Sequence, residues 1–264
     1  MPSTPTAGMA IDTRALSRRF GGRTVVDALD LQVPEGCIFG FLGPNGAGKT
    51  TTLKMLTGLL EPSAGEAWVA GCHVVAERMA LKAKIGVVPE HLGLYERLSL
   101  AEHLELVGRL HGLSAERIAR RSAALLEQLD LAPSAGALVV DASTGMKKKL
   151  ALACALLPDP RVLFLDEPFE GVDPISTRAI KDMLRALVDR HGVTVFFSTH
   201  IMDLVERLAD RAAIIQAGRL VATGSLAELR ARAGLDEAAS LEEVFLNLVG
   251  AGAADAAALR WLDP

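Results

Sequence analysis

The fold is decided by one stretch of the chain, Gly43-Pro44-Asn45-Gly46-Ala47-Gly48-Lys49-Thr50. It fits the pattern G-x-x-x-x-G-K-[S/T], in which backbone N–H groups surround phosphate oxygens, the lysine supplies a positive charge and the hydroxyl binds Mg²⁺. An apolar run at residues 37–42 precedes the stretch, and a helix-forming segment beginning at Thr51 follows it. A strand, a glycine-rich turn and a helix N-terminus are the context that this motif requires. The sequence therefore predicts a site for a nucleoside triphosphate.

Two carboxylates, Asp166 and Glu167, follow a second apolar run at residues 162–165. Four consecutive apolar residues are typical of a strand that is buried on both faces. Ligands of open α/β sheets lie at the carboxyl ends of the strands, so both carboxylates are expected to face the phosphate site. We expect Asp166 to hold Mg²⁺ through water, and Glu167 to accept the proton of the water that attacks the phosphate.

A histidine, His200, follows a third apolar run at residues 193–198. This run also predicts a core strand. His200 follows the carboxyl end of that strand, just as Asp166 and Glu167 follow the carboxyl end of theirs. We expect its imidazole to contact the γ-phosphate and the attacking water. The other histidines are interpreted as solvated or structural: His73, His91, His103, His111 and His191.

Further segments resemble the motifs of one protein family. The sequence at 142–146 resembles the signature motif, 170–173 the D-loop, 88–90 the Q-loop, and Phe20 the aromatic residue that stacks on adenine. With the three sites above, these motifs occur in the family's order. The chain thus resembles the nucleotide-binding subunit of an ABC transporter over almost its whole length. Residues 240–245 and the overall spacing are similar to those of the ABC-2 group, which exports drugs, antibiotics and polymers.

The resemblance implies a fold and a set of ligands. The fold is α/β, a P-loop NTPase with a mostly parallel core sheet flanked by helices, an N-terminal antiparallel β subdomain and a helical signature lobe. The cofactors are ATP and Mg²⁺, and the catalytic residues are Glu167 and His200. The expected Mg²⁺ ligands are Thr50, Asp166 and Glu90. The expected nucleotide-binding residues are Phe20, Gly43, Pro44, Asn45, Gly46, Ala47, Gly48, Lys49, Thr50, Thr51, Glu90, Ser143, Gly145 and Asp173.

The resemblance also implies partners. Two ATP-binding subunits, in a homodimer or a heterodimer, would pack head-to-tail so that each signature motif closes the ATP site of the other subunit. A multi-helix membrane permease on a separate chain would contact residues 90–98. This arrangement would place the chain at the cytoplasmic face of the cell membrane.

Two motifs depart from the family pattern. The signature has Ala142, Thr144 and Met146 where leucine, glycine and glutamine are usual, but it keeps Ser143 and Gly145. Ser143 is also a good N-cap for the apolar helix predicted after it. At residue 90 a glutamate replaces the usual glutamine, which adds negative charge near the triphosphate and removes a hydrogen-bond donor.

The motifs divide the chain into segments. We expect a disordered tail at 1–10, an ATP-binding core with the antiparallel β subdomain at 11–89 and 158–232, a helical lobe at 90–157 and a helical extension at 233–264. Helical spacing predicts helices at 99–110, 114–131, 174–190, 201–209 and 226–232. A hairpin is expected at 66–75.

Composition limits the alternatives. No run of about 18 apolar residues occurs, so no membrane-spanning segment is expected. A net charge of −4 and an aromatic content of 4% give no argument for nucleic-acid binding. The three cysteines lie far apart in apolar surroundings, which indicates reduced core residues rather than metal ligands. No charged-then-apolar stretch occurs in residues 1–10, so no secretory segment is expected.

Three functions therefore remain. The first is ATP-driven export of a drug, antibiotic, lipid or polymer through the permease. The second is a soluble ABC-type ATPase that acts on ribosomes or DNA. The single set of motifs and a helical lobe of modest length argue against it. The third is a nucleotide-binding regulator that barely hydrolyses ATP. Glu167 argues against this role, whereas Glu90 and Thr144 leave it open.

Overall fold

The computed structural model describes residues 4–250, which form two β-sheets and surrounding helices. The described strands are β1 Met9–Phe20, β2 Arg23–Pro34, β3 Ile38–Leu42, β4 Ala64–Val69, β5 Cys72–His73, β6 Ile85–Val88, β7 Val162–Asp166, β8 Thr194–Thr199, β9 Arg211–Gln216 and β10 Arg219–Ser225. The described α-helices are α1 Lys49–Leu56, α2 Arg78–Lys82, α3 Leu100–Leu110, α4 Ala115–Gln128, α5 Thr144–Leu156, α6 Pro174–His191, α7 Met202–Leu208, α8 Leu226–Arg232 and α9 Leu241–Val249.

The larger sheet has six strands in the order β10-β9-β3-β8-β7-β6. The five strands from β9 to β6 are parallel, and β10 pairs antiparallel with β9 at one edge. The smaller sheet has the order β2-β1-β4-β5 and is antiparallel. The predicted α/β fold, with a mostly parallel core sheet and an N-terminal antiparallel subdomain, is confirmed.

The parallel sheet is buried on both faces, which explains its apolar strand sequences. On one face, Phe39, Phe41 and Phe196 pack in the core shared with the antiparallel sheet. The rings of Phe39 and Phe196 are stacked, with centroids 5.8 Å apart. On the other face, Ile38 and Leu42 pack in the core shared with the helices. Successive residues of β3 thus point to opposite cores, as the alternation of side chains in a strand requires.

Serine caps begin most of the longer helices. The hydroxyl groups of Ser99 and Ser240 accept hydrogen bonds from the third helical residue, whose glutamate side chain bonds back to the backbone of the serine. Such capping boxes satisfy N–H groups that have no partner within the helix. Helix α6 begins with Asp173 as its cap and ends before Gly192, which adopts φ +64°. These signals explain why the predicted helix boundaries agree with the structure to within a few residues.

The structure differs from the sequence prediction at two boundaries. Strand β1 begins at Met9 rather than after a disordered tail, because Met9 pairs with Pro34 in the antiparallel sheet. The chain before it is also held, since the backbone N–H and the hydroxyl of Thr6 both donate to Asp12. The helix predicted at 114–131 ends at Gln128, and Asp130 turns the chain with φ +55°. Residues 251–264 of the predicted extension lie outside the described residues.

No helix among residues 4–250 is long and apolar enough to cross a membrane.

The three cysteines are free. Cys37 and Cys72 are buried, and burial raises the pKa of Cys154 to about 12. Within the same residues, no three histidine, cysteine or acidic side chains come together to form a metal site by themselves.

We expect Gly86→Ala to lower the free energy of unfolding by about 1–3 kcal/mol, because overpacking a core costs roughly this amount. A Cβ at Gly86, in β6, would lie 2.3 Å from the carbonyl oxygen of Ala155 in α5. Urea denaturation provides the measurement. The control is Gly136→Ala, whose Cβ would have no neighbour within 4 Å. Equal stability of the two variants would contradict the close approach of β6 and α5.

Candidate nucleotide site

The glycine-rich loop connects β3 to α1, as the sequence predicts. Gly48, the residue before the helix, adopts φ +104°, a conformation that favours glycine. A Cβ at Gly43 would lie 2.4 Å from the carbonyl oxygen of Ile215, so the start of the loop lies directly against β9. The loop is also bonded to β8, since the N–H of Gly43 donates to the carbonyl of Thr199. The loop is therefore fixed to two neighbouring strands of the parallel sheet.

The ammonium group of Lys49 lies inside the loop. Its Nζ atom donates to the carbonyl of Gly43 at 2.8 Å, contacts the carbonyl of Pro44 at 3.4 Å, and lies 3.3 Å from Oε1 of Glu167. The lysine is only 6% exposed. A buried cation ringed by oxygen acceptors provides a positive charge for a phosphate group. Lys49 thus connects the phosphate loop to the end of β7.

The carboxylate of Glu167 lies between a lysine and a histidine. Its Oε1 atom is 3.3 Å from Nζ of Lys49 and 3.2 Å from Nδ1 of His200. The glutamate is 7% exposed, whereas the side chain of His200 is 39% exposed at the mouth of the site. The structure therefore brings together the two residues that were predicted to be catalytic.

The backbone of Glu167 is in the left-handed region, with φ +45°. This conformation is uncommon for a residue with a side chain and persists where neighbouring groups hold it. The N–H of Glu167 donates to the carbonyl of Ser198 at 3.2 Å and to its hydroxyl at 3.3 Å. The carbonyl of Glu167 accepts a hydrogen bond from Nζ of Lys148 at 3.1 Å. Glu167 is thus held on both sides.

The carboxylate of Asp166 is buried at the end of β7 and is 2% exposed. The hydroxyl of Ser198 donates to its Oδ1 atom at 2.5 Å. Because the same hydroxyl accepts from the N–H of Glu167, Ser198 orients both acidic residues.

A cleft of about 290 Å³ opens above these groups. It is lined by Val25, Asn45, Gly46, Gly48, Lys49, Thr50, Thr51, Glu90, Glu167, Glu170 and His200. Glu90, which follows β6, reaches this cleft, as expected for the segment that resembles the Q-loop. Gly43, Pro44, Ala47 and Asp166 lie next to it in the loop and the strand end.

The residues of the cleft fit a magnesium-bound triphosphate. The donors are the loop N–H groups and Lys49, and Gly46 keeps the loop free of a side chain at φ +80°. The hydroxyl of Thr50 and the carboxylates of Glu90 and Asp166 are oxygen ligands of the kind that Mg²⁺ prefers. A bound Mg²⁺ would neutralise charge on the phosphate oxygens.

The signature residues lie outside this cleft. Ser143 caps α5 by accepting a hydrogen bond from the N–H of Met146, and both Ser143 and Thr144 are exposed. Gly145 is buried against α6, where an added Cβ would meet Ser176 Oγ at 2.8 Å and Asp173 Oδ2 at 3.0 Å. Asp173 itself is the cap of α6, and hydrogen bonds from Ser176 lower its pKa.

Phe20 also lies outside the cleft. It ends β1 and is 45% exposed, and the guanidinium of Arg18 covers one face of its ring at 4.5 Å from the centroid. Val25, from the next strand of the same hairpin, lines the cleft instead. Phe20 is therefore not among the residues that line the cleft, and its stacking on adenine stays a prediction.

Comparison with known proteins identifies the family. The profile of the ABC transporter family matches residues 26–170, more than half of the chain. The chain belongs to the ABC transporter family. It is the ATP-binding subunit, it hydrolyses ATP, and its cofactors are ATP and Mg²⁺, as the resemblance implied.

Individual relatives agree with this assignment. The chain is 43% identical over 230 residues to the daunorubicin resistance ATP-binding protein DrrA3 of Streptomyces coeruleorubidus, covering 87% of this chain and 72% of the relative. It is 41% identical over 219 residues to the Nod factor export ATP-binding protein I of Cupriavidus metallidurans, covering 83% of this chain and 72% of that relative. The solved structure of an ATP-binding subunit of an ABC transporter superposes with a TM-score of 0.84 at 32% identity, covering 91% of this chain and 99% of that chain.

Sequence reasoning missed three polar residues around the acidic pair. Glu170 lines the cleft, and its position three residues after Glu167 was a signal that could have found it. Ser198 was interpreted as part of a core strand. Lys148 was assigned no role in the site, but it is 7% exposed and contacts Glu167. Burial lowers the pKa of Lys148, while Glu170, Glu90, Glu167 and Asp166 act in the opposite direction.

We expect Lys49→Ala to weaken ATP binding by roughly tenfold to hundredfold, because a hydrogen bond to a charged group contributes about 1.5–3 kcal/mol. Isothermal titration with Mg-ATP measures the change. Lys54→Ala is the matched control, since Lys54 lies in the last turn of the same helix and is exposed. If Lys49→Ala bound ATP as tightly as Lys54→Ala, the role of the buried ammonium group in phosphate binding would be wrong.

Proposed function

We propose that this subunit powers the export of a drug, antibiotic, lipid or polymer through a membrane permease on a separate chain. The observation that carries the proposal is the set of contacts that Glu167 makes with Lys49 and His200 at the end of β7. This set pairs a buried carboxylate with the phosphate loop, as hydrolysis requires. The names of the relatives, which describe drug resistance and Nod factor export, support the direction of transport.

In the proposed reaction, the loop N–H groups and Lys49 hold the β- and γ-phosphates of ATP. Glu167 accepts a proton from a water molecule as the oxygen of that water bonds to the γ-phosphorus. The bond between the γ-phosphorus and the bridging oxygen breaks, and ADP leaves with the bridging oxygen. His200 contacts the γ-phosphate and keeps the water in line. Positioning and electrostatic stabilisation supply most of the catalysis in such reactions.

A second ATP-binding subunit completes the site in this proposal. Ser143 and Thr144 are exposed at the N-terminus of α5, where N–H groups and the helix dipole favour an anion. Because they lie outside their own cleft, they are free to contact the γ-phosphate held by the partner subunit. The partner is either a second copy of this chain or a different subunit.

The permease is proposed to dock on an apolar surface at residues 90–98 and 137–140. The two segments are bonded, since the N–H of Val139 donates to the carbonyl of Leu98 and the N–H of Val140 to that of Glu96. Tyr95 is 60% exposed and Val140 is 49% exposed. The first segment begins at Glu90, which lines the ATP cleft, so movement of the permease and the state of the nucleotide would be linked. This contact would hold the subunit at the cytoplasmic face of the membrane.

We expect Glu167→Gln to lower ATP turnover by about a hundredfold or more, because general-base catalysis contributes roughly 10²–10⁴. The affinity for ATP should be retained, since the amide keeps the shape of the side chain. Phosphate release measures turnover, and equilibrium titration measures affinity. Glu170→Gln removes a charge from the same cleft and should keep most of the turnover. Normal turnover of Glu167→Gln would contradict its role as the base.

We expect tagged protein carrying Glu167→Gln and held with Mg-ATP to copurify from native membranes with one multi-helix membrane protein. Adding Tyr95→Glu should release that protein, because a charge would be buried in the apolar contact. Leu59→Glu, at an exposed apolar residue after α1, is the control and should leave the complex intact. Mass spectrometry of the captured proteins is the measurement. Recovery in the soluble fraction or with ribosomes would instead favour the soluble ATPase.

A further inference from the structure

A lysine of the signature helix reaches the ATP site of its own subunit. Lys148, in the second turn of α5, is 7% exposed and donates from Nζ to the backbone carbonyl of Glu167 at 3.1 Å. This contact crosses from the helical segment to the end of strand β7. The Lys148 side chain thus donates to the backbone of Glu167, the residue whose carboxylate faces the phosphate loop.

The conformation of Glu167 gives that contact a role. A side chain at φ +45° is disfavoured, so the left-handed backbone must be held from outside. The N–H of Glu167 is fixed by donating to the carbonyl and the hydroxyl of Ser198, a residue of strand β8. The carbonyl side is fixed by Lys148. Rotation about the N–Cα bond of Glu167 would move that carbonyl and the Cα–Cβ bond together, and would carry the carboxylate away from Lys49 and His200.

Charge supports the same role. Four carboxylates act on the Lys148 ammonium group, those of Glu90, Asp166, Glu167 and Glu170. Lys49, which lines the cleft, lies 3.3 Å from Glu167. Close carboxylates repel one another in a buried site, and a cation between them reduces this repulsion. An uncharged residue at 148 that cannot donate would leave the carbonyl of Glu167 without this hydrogen bond and would increase the repulsion between the carboxylates.

We propose that Lys148 is a positioning residue that fixes the left-handed backbone of Glu167 and so aims its carboxylate at the attacking water. It acts through Glu167 and does not touch ATP. The inference rests on the proposed function of Glu167 as the base. Because Lys148 belongs to the helix that Ser143 caps, the signature end of one subunit also determines the geometry of the base in the same subunit.

The test compares two buried lysines of α5. Lys148→Met keeps the length of the side chain and removes its charge and donor. Lys149→Met makes the same change at a residue that is 8% exposed but pairs with Asp130, at 3.7 Å, away from the cleft. Steady-state ATPase assays give kcat and KM for each variant, and thermal unfolding monitors stability.

We expect Lys148→Met to lower kcat by about tenfold to hundredfold with KM nearly unchanged, because a misplaced catalytic group can cost roughly a hundredfold. Lys148→Arg keeps the charge and the donor and should restore much of kcat. Lys149→Met should keep kcat, whatever it does to stability. If Lys148→Met does not fold, Lys148→Gln removes the charge but keeps an N–H donor on a shorter side chain, and a smaller loss of kcat is expected.

Three outcomes would overturn the inference. The first is an unchanged kcat in Lys148→Met. The second is an equal loss in Lys148→Met and Lys149→Met that follows their stability. The third is a loss that Lys148→Arg does not reduce, since charge and donor would then be irrelevant. Glu167→Gln is measured in parallel, to separate a failure of the proposed base from a failure of the role of Lys148. If Glu167→Gln hydrolyses ATP normally, the proposed base is wrong. If Glu167→Gln is inactive while Lys148→Met is active, only the role of Lys148 fails.

Discussion

The register of three neighbouring parallel strands is the constraint on which the rest of the structure depends. Leu42 at the end of β3 pairs with Thr199 of β8, and Ser198 of β8 pairs with Asp166 of β7. The three chains therefore leave the sheet side by side, and the groups that follow them meet at one edge: the phosphate loop, His200 and Glu167. A shift of one residue in either pairing would exchange the faces of a strand and bury the wrong side chains. The apolar cores on both faces fix the register, and the register fixes the site.

Most of the site could be predicted because it depends on strand ends, and strand ends can be read from apolar runs. The runs that become β3, β7 and β8 each stop where the polar residues of the site begin, so the cluster of Lys49, Glu167 and His200 followed from the topology of a parallel sheet. The serine caps allowed the first residues of the helices to be predicted in the same way. The first residue of strand β1 was harder to predict, because the pairing of β1 with β2 depends on backbone hydrogen bonds that many sequences can form.

The parts that could not be predicted depend on packing between segments that are distant in sequence. Lys148 stands in a run of three lysines, which resembles a solvated turn, and only the approach of α5 to β7 buries it. The left-handed backbone of Glu167 has no signal in the sequence, since glycine is the residue that usually marks such a conformation. Phe20 matches the family's aromatic residue by position, but its place at the tip of an exposed hairpin depends on how the two sheets pack.

The close approach of Gly86 and Ala155 has a mechanical consequence. At Gly86 the backbone of β6 approaches that of α5 so closely that a Cβ there would lie 2.3 Å from the carbonyl oxygen of Ala155. No side chain of residue 86 therefore separates the two backbones at this point. A displacement of the strand that leads to Glu90 would be passed directly to the helix that begins at the signature motif.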